Sequence, residues 1–469
     1  MAARDGVRRF RLQPNESADS VRALRGLGQA ANREARAGRA AVAVLGTVVS
    51  VSALVGVGGA FAVPSPSGRD EALRSGMLSR DSSTSGARNG APRLQQIDGG
   101  PGYYGKFSNP LPTSASYFPI GVWGAYDHTA RNRNRDATVG INTYVWAADP
   151  NFVPEIRADR RFRIIQDESN RANHGSETAG WLLGDELDMT QGPGACPRAL
   201  NSIKAGLPND RRLRFANYGK GVLNWGASGY NGHNNTSSGC FVNAQDVTST
   251  DLYWHTDPYQ TGDPQSGNSS GYGWSMRRMR MLDRLDGKIT PQWGFVEVTD
   301  AMNGGSPPTP AEIRGAVWHT LIAGARGILY FQHDFAGSCQ THHALRMAGT
   351  ACYRATIDMV TSINHQIKSL APVLNAPFVT SRHSARDRMA GKVQYMVKWA
   401  KGKFWVLAGA DRGGGNATFR IRCVGNATAK ALWENRFIRV RRGSFTDSFA
   451  DKDAVHIYRI DGGSRCGLK

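Results

Sequence analysis

Residues 180–188 read GWLLGDELD, and the fold of the middle of the chain turns on that stretch. Trp181, Leu182 and Leu183 follow one another without polar alternation, and the run then breaks into Asp185, Glu186 and Asp188. An unbroken short apolar run suits a strand buried on both faces. Carboxylates at its carboxyl end suit a site mouth. The same pattern recurs at 118–124 (FPIGVWG), 141–147 (INTYVWA), 162–167 (FRIIQD), 213–218 (LRFANY), 247–255 (VTSTDLYWH), 289–298 (ITPQWGFVEV) and 327–333 (GILYFQH). Helix-compatible stretches lie between these runs, most clearly at 310–324 and 355–370. Buried strands alternating with helices imply a parallel sheet covered by helices. Eight repeats within residues 115–375 predict an α/β fold, a (β/α)8 TIM barrel. A doubly wound sheet is the alternative, but no GxGxxG or GxxxxGK follows the first run.

Beyond the barrel the period changes to two. Residues 393–400 and 404–410 flank the turn Lys401-Gly402-Lys403 as a hairpin would, and further strands are expected at 417–424, 429–433, 437–441 and 454–460. Residues 376–469 therefore read as a small all-β sandwich without chemistry of its own. At the other end, residues 1–39 hold nine Arg against four acidic residues. Residues 40–63 then run uncharged up to Pro64. That length fits one N-terminal apolar helix, either a retained membrane anchor with the basic side in the cytoplasm or a cleaved export signal. Residues 64–114, rich in Ser, Gly, Pro and Arg, read as a disordered linker.

The 469 residues carry 58 Lys+Arg against 38 Asp+Glu, a net charge of +20, which raises the question of nucleic acid. The positive charge forms no lysine-rich block, and its densest run, RFIRVRR at 436–442, alternates as a strand face does. The expectation is no nucleic-acid partner. A single apolar run of spanning length excludes a polytopic membrane protein. The six cysteines (196, 240, 339, 352, 423 and 466) all follow that run, and an even count in an exported chain suggests disulfides, most simply between neighbours in sequence. His333, His342 and His343 near Asp334 lack the HxH or HxxxH spacing of metal ligands, so no metal and no cofactor is expected. No GxSxG nucleophile elbow is present.

A barrel builds its site at the carboxyl ends of its strands. Read in order, those ends offer Trp123, Trp146, Asp185 with Glu186, Asn217, His255 with Tyr259, Glu297, and Gln332 with His333. Carboxylates, amides and aromatic rings converging on one mouth suit a carbohydrate substrate, whose faces stack on rings and whose hydroxyls take polar partners. Trp181 and Trp293 lie mid-strand and belong to the core.

On these residues the chain resembles the (β/α)8 retaining glycoside hydrolases of clan A with a C-terminal β-sandwich domain. In that clan the acid/base glutamate ends strand four and the nucleophilic glutamate ends strand seven; Glu186 in GWLLGDELD and Glu297 in QWGFVEV occupy those places. The phrases GAVWHTLIAGARGILYFQH before strand eight and FTDSFADKDAVHIYRI near the C-terminus are also similar. The clan has Asn before the strand-four glutamate where this chain has Asp185, which leaves open which of the two carboxylates is the acid. The resemblance implies an exported or membrane-anchored enzyme cleaving a β-linked poly- or oligosaccharide through Glu186 and Glu297. Trp123, Trp146, Asp185, Asn217, His255, Tyr259, Gln332 and His333 would contact the sugar. The alternative is a catalytically inactive barrel that binds glycans or cell-wall polymer.

Overall fold

The computed structural model describes residues 91–98, 101–146, 149–167, 174–223, 233–258, 265–302, 305–461 and 466–468. The basic segment 1–39, the apolar run 40–63, the linker up to residue 90 and Tyr259 lie outside the described residues. Eight parallel strands close into a barrel in chain order: Ile120–Trp123, Thr143–Val145, Arg163–Gln166, Thr178–Asp185, Leu213–Tyr218, Val247–Thr250, Gln292–Glu297 and Gly327–Phe331. They are called strands one to eight below, and each overlaps one of the runs read from sequence.

Side chains alternate across each strand. Val145, Ile165, Leu182, Phe215, Trp293, Phe295 and Leu329 fill the interior, while Tyr144, Ile164, Trp181, Leu183, Ala216, Val296 and Tyr330 pack outward beneath the helices. The inward register of Trp293 and Phe295 continues to Glu297, so the pleat itself delivers that carboxyl to the barrel axis. Both mid-strand tryptophans, Trp181 and Trp293, are buried as expected.

The helix Pro310–Ile322 shows why the covering layer forms where it does. Thr309 caps it and Pro310 opens it. Glu312 returns the capping box, its carboxylate accepting from the Thr309 N–H at 2.9 Å while the Thr309 hydroxyl accepts from the Glu312 N–H at 3.2 Å. The helix Arg354–Leu374 follows strand eight. One repeat departs from the ideal: among the described residues no helix joins strand three to strand four. The connection, residues 167–177, sits at the lower limit of the roughly 10–12 residues that a crossover with its helix requires.

The linker expectation needs correction at its end. Residues 94–95 form a strand, Leu94–Gln95, pairing antiparallel with Phe378–Val379. Farther on, Tyr104 and Leu111 are buried in the barrel interior, and the Trp293 indole N–H donates to the Tyr104 hydroxyl at 3.1 Å. Polar composition suggested disorder, but a few large apolar side chains suffice to anchor a segment that is otherwise Ser/Gly-rich.

The C-terminal region is two antiparallel sheets face to face. The larger has seven strands and the smaller has three: His383–Met389, Gly415–Ile421 and Ser444–Phe449. Phe404, Val406, Tyr458 and Ile460 of the large sheet meet Phe419, Phe445 and Phe449 of the small one. The opposite face of the large sheet presents Trp405, Leu407 and Ile457 to the barrel core. The hairpin expected at Lys401-Gly402 is present, with both residues at positive φ as a type I′ turn requires. The basic run falls on the edge strand Arg436–Val440, where Arg439, Arg441 and Arg442 are exposed and Arg436 pairs with Glu434 and Asp447. Charge on a sheet edge discourages pairing with another chain. All six cysteines form disulfides between sequence neighbours: Cys196–Cys240, Cys339–Cys352 and Cys423–Cys466.

Candidate active site

Strand four ends in a conformational break. Gly184 takes φ 137° and Glu186 itself takes φ 48°, a left-handed conformation that costs a non-glycine residue of order 1 kcal/mol or more. The Glu186 N–H donates to the carbonyl of Asn217 on strand five at 3.0 Å, which fixes the turn. The carboxyl then lies over Gly219, where a Cβ would come within 2.5 Å of Glu186 Oε1. A side chain there would displace the Glu186 carboxyl. Asp188, fully buried, accepts from the N–H groups of Gly219 at 3.1 Å and Val222 at 2.8 Å, and so anchors the loop beneath Glu186.

Around Glu186 the neighbours are acids. The Asn217 amide donates to Asp185 Oδ1 at 2.9 Å while its own carbonyl accepts from the Ser249 hydroxyl at 2.7 Å. Asp251, directly after strand six, completes the group. Asp185 is reached by water yet walled by protein, as a group deep in a cleft is; this desolvation and the charge of Asp188 push it up to about 6. Burial first, then the charges of Asp185 and Asp188, push Glu186 up to about 7. Asp251 is held well above the usual carboxylate range by burial and by Glu186. Like charges in a poorly solvated space retain a proton among them.

Glu297 meets the opposite environment. It is fully buried, and its neighbours are donors. Oε2 accepts from the Tyr272 hydroxyl at 2.5 Å, and Oε1 accepts from the His255 backbone N–H at 3.2 Å and the Thr256 hydroxyl at 3.5 Å. Burial pushes Glu297 up to about 7, against the downward pull of these hydrogen bonds. Tyr253, whose buried hydroxyl has no hydrogen-bond partner among the described residues, lies within the electrostatic reach of Asp251, Glu186, Glu297 and Asp185 together. Among the described residues no lysine or arginine forms an ion pair with any of these four carboxylates.

The other expected contact residues divide. Trp146 is partly exposed at the mouth, at φ 57°, its indole N–H donating to Asp167 at 2.8 Å. Trp123, expected to stack on a sugar, is instead buried against Phe295 and Trp146 in the interior. Asn217 is buried with its amide committed to protein partners, and Gln332 is buried as well. The His255 ring packs tilted against Tyr272 and faces Ser269 and Glu312. His333 is buried, donating from Nε2 to the Trp123 carbonyl at 3.1 Å, with its Nδ1 3.2 Å from that of His342. Burial lowers it to about 4, so it is neutral. Phe335, 47% exposed, stacks on it at 5.9 Å and supplies the open ring that Trp123 does not. Among the described residues no group of His, Cys, Asp or Glu has the arrangement of a metal site.

Two residues escaped the sequence reading. Asp251 was hidden inside 247–255, read as one strand, whereas strand six stops at Thr250. An acid closing a run, as in GWLLGDE and GFVE, was the available signal. Tyr272 lies in the helix Ser270–Asp283, and nothing in SGYGWSMRRM marks it as leaning over strand seven.

No family model and no curated protein matches the chain. Among solved structures it is similar to a family 51 α-L-arabinofuranosidase from Bifidobacterium longum, at 10% identity over 78% of this chain and 97% of that one, TM-score 0.41. A family 39 glycoside hydrolase from Bacteroides cellulosilyticus WH2 aligns at 11% identity over 74% and 82%, TM-score 0.41. A family 30 endoxylanase from Clostridium papyrosolvens C71 aligns at 10% identity over 80% and 98%, TM-score 0.41.

Proposed function

We propose that this chain is a retaining glycoside hydrolase acting on a β-linked poly- or oligosaccharide. The observation that carries the reading is a pair of glutamates closing strands four and seven of one barrel, neither paired with a cation among the described residues, both pushed up to about 7. Glu186, kept protonated by burial and by its acidic neighbours, gives its proton to the leaving oxygen. Glu297, whose ionised form three donors favour against the burial that raises it, attacks the anomeric carbon as the carboxylate and forms the glycosyl ester. Glu186, now a carboxylate, takes a proton from water, and the hydroxide so generated releases the sugar with retained configuration. Trp146, Phe335 and Asp185 are the groups best placed to touch the substrate. The catalytic body is assigned to 115–375 and the β-domain to 376–469. Three disulfides support an oxidising compartment, with residues 40–63 as export signal or anchor.

A second reading, a silent barrel that binds glycans, is favoured by one observation: Glu297 exposes no surface. A panel of β-linked glycans separates the two. Release of reducing ends, with the β-anomer appearing first by proton NMR, supports the hydrolase. Binding to a glycan without release from any member supports the silent barrel.

A further inference from the structure

The turn between the last two strands of the β-domain, residues 451–454, docks on the barrel beside the candidate site. Its Lys452 ammonium bonds the Gly267 carbonyl and lies 3.4 Å from Glu312 Oε1. Next to it, Asp453 Oδ1 accepts from the Ser269 hydroxyl at 2.6 Å. Gly315 makes this approach possible, because a Cβ there would meet Ser269 Oγ at 2.4 Å and the Asp453 Cα at 3.3 Å. Ser269 Oγ in turn lies 3.3 Å from His255 Nε2. The His255 ring packs tilted against Tyr272, centroids 5.4 Å apart, and the His255 N–H and Tyr272 O–H are two of the donors to Glu297.

We infer that Asp453 of the β-domain, acting through Ser269 and His255, is a positioning residue for Glu297; the inference rests on reading Glu297 as the nucleophile. The hydrogen bonds dictate the sequence of causes. Ser269 has one proton, and Asp453 Oδ1 at 2.6 Å is a nearer acceptor than the Glu312 carbonyl at 3.2 Å. The serine lone pairs are then left for an N–H, which assigns the proton of neutral His255 to Nε2. His255 Nδ1 consequently carries no proton and stands 3.8 Å from Glu312 Oε1, beyond a hydrogen bond. Without Asp453 the serine proton is free to turn to Nε2. The imidazole then takes the Nδ1–H tautomer, closes on Glu312, and draws away from Tyr272, whose hydroxyl donates to Glu297. An appended domain thus holds the donor geometry of a glutamate on the far side of the barrel wall.

The test uses the intact protein in four forms: native, Ser269→Ala, Asp453→Ala and Asp453→Asn, with exposed Arg439→Ser as control. Two readouts need no turnover: the imidazole nitrogen-15 shifts of His255, and the carboxyl carbon-13 titration of Glu297, identified by its loss in Glu297→Gln. Groups bearing on that titration are Tyr272, Tyr253, Thr256 and, through Tyr253, Glu186, Asp185 and Asp251. Asp453→Ala should convert His255 to the Nδ1–H form. Both alanine variants should raise the Glu297 midpoint by about one unit, as losing a charge-assisted hydrogen bond does. Asp453→Asn retains the acceptor oxygen and should stay near native, as should the control. On a hydrolysed glycan, kcat should fall about tenfold with KM nearly unchanged. An unmoved midpoint in folded Ser269→Ala, the mildest change, overturns the inference. Should the midpoint move in a protein that hydrolyses no glycan, positioning stands and the nucleophile reading falls.

Discussion

Glu186 and Glu297 reach the same titration range from opposite surroundings. Glu186 sits on a left-handed break, partly open to water, among Asp185, Asp188 and Asp251. Glu297 ends a regular strand, sealed from water, and accepts from Tyr272, His255 and Thr256. Burial and the charges of Asp185 and Asp188 favour a proton on the first; donors favour a negative charge on the second. Two identical side chains are thereby fitted to giving up a proton and to attacking as an anion, and environment alone separates them.

The largest expected effect removes the anion. Glu297→Ala should lower kcat on any hydrolysed glycan on the order of 10⁴-fold or more, with the far-ultraviolet circular dichroism unchanged. Initial rates at high enzyme concentration check it, and retained activity would reverse the comparison.

Glu186→Ala should cost roughly 10²–10⁴-fold on a natural glycoside, but far less on an aryl glycoside whose leaving group departs without a proton. Added azide should restore part of the rate by attacking the glycosyl ester and yield a β-glycosyl azide. If azide rescues Glu297→Ala with that same retained product, the two roles are exchanged.

Smaller effects sharpen the contrast. With Glu186 protonated and Glu297 ionised as the working pair, kcat/KM should follow a narrow bell centred near neutrality, since both are pushed up to about 7. Tyr272→Phe removes a donor that pulls Glu297 down. Glu297 then ionises later, and the acidic limb should move to higher pH with a loss of roughly 10–100-fold.

Asp185→Asn removes a charge that pushes Glu186 up. Glu186 then loses its proton earlier, and the alkaline limb should move to lower pH, by about a unit or less. The two variants narrow the bell from opposite sides. A pH profile in which both move the same limb would show that the surroundings do not act separately.

The barrel was legible because strands buried on both faces must carry unbroken apolar runs, and eight of them stand out. Short or one-sided strands leave a weaker mark. Leu94–Gln95 and Phe378–Val379 are two residues each, and His383–Met389 (HSARDRM) buries too little to show a period. In the site, Glu186 and Glu297 were legible from position, since a strand's last inward residue must face the mouth. What surrounds them was not. Trp123 and Asn217 are inward like the glutamates, and only the packing shows that the ring is covered and the amide engaged. Tyr272 and Asp453 come from a helix and from a turn of the β-domain, and no local pattern records which distant strand end a side chain will meet.

The short segment before the barrel has a consequence for the order of folding. Arg93 and Leu94 meet Thr380 and Val379, at the far end of the barrel in sequence, and Tyr104 closes on Trp293. Contacts between such distant positions form late, because the chain between them must already be gathered. A chain lengthening from its N-terminus can seat Tyr104 once Trp293 exists but holds Leu94–Gln95 unpaired until Phe378–Val379 exists, so the first edge of the β-domain is closed after the barrel strands are made. The two bodies should therefore melt together, and a chain shortened to begin at residue 115 should lose the cooperativity of both.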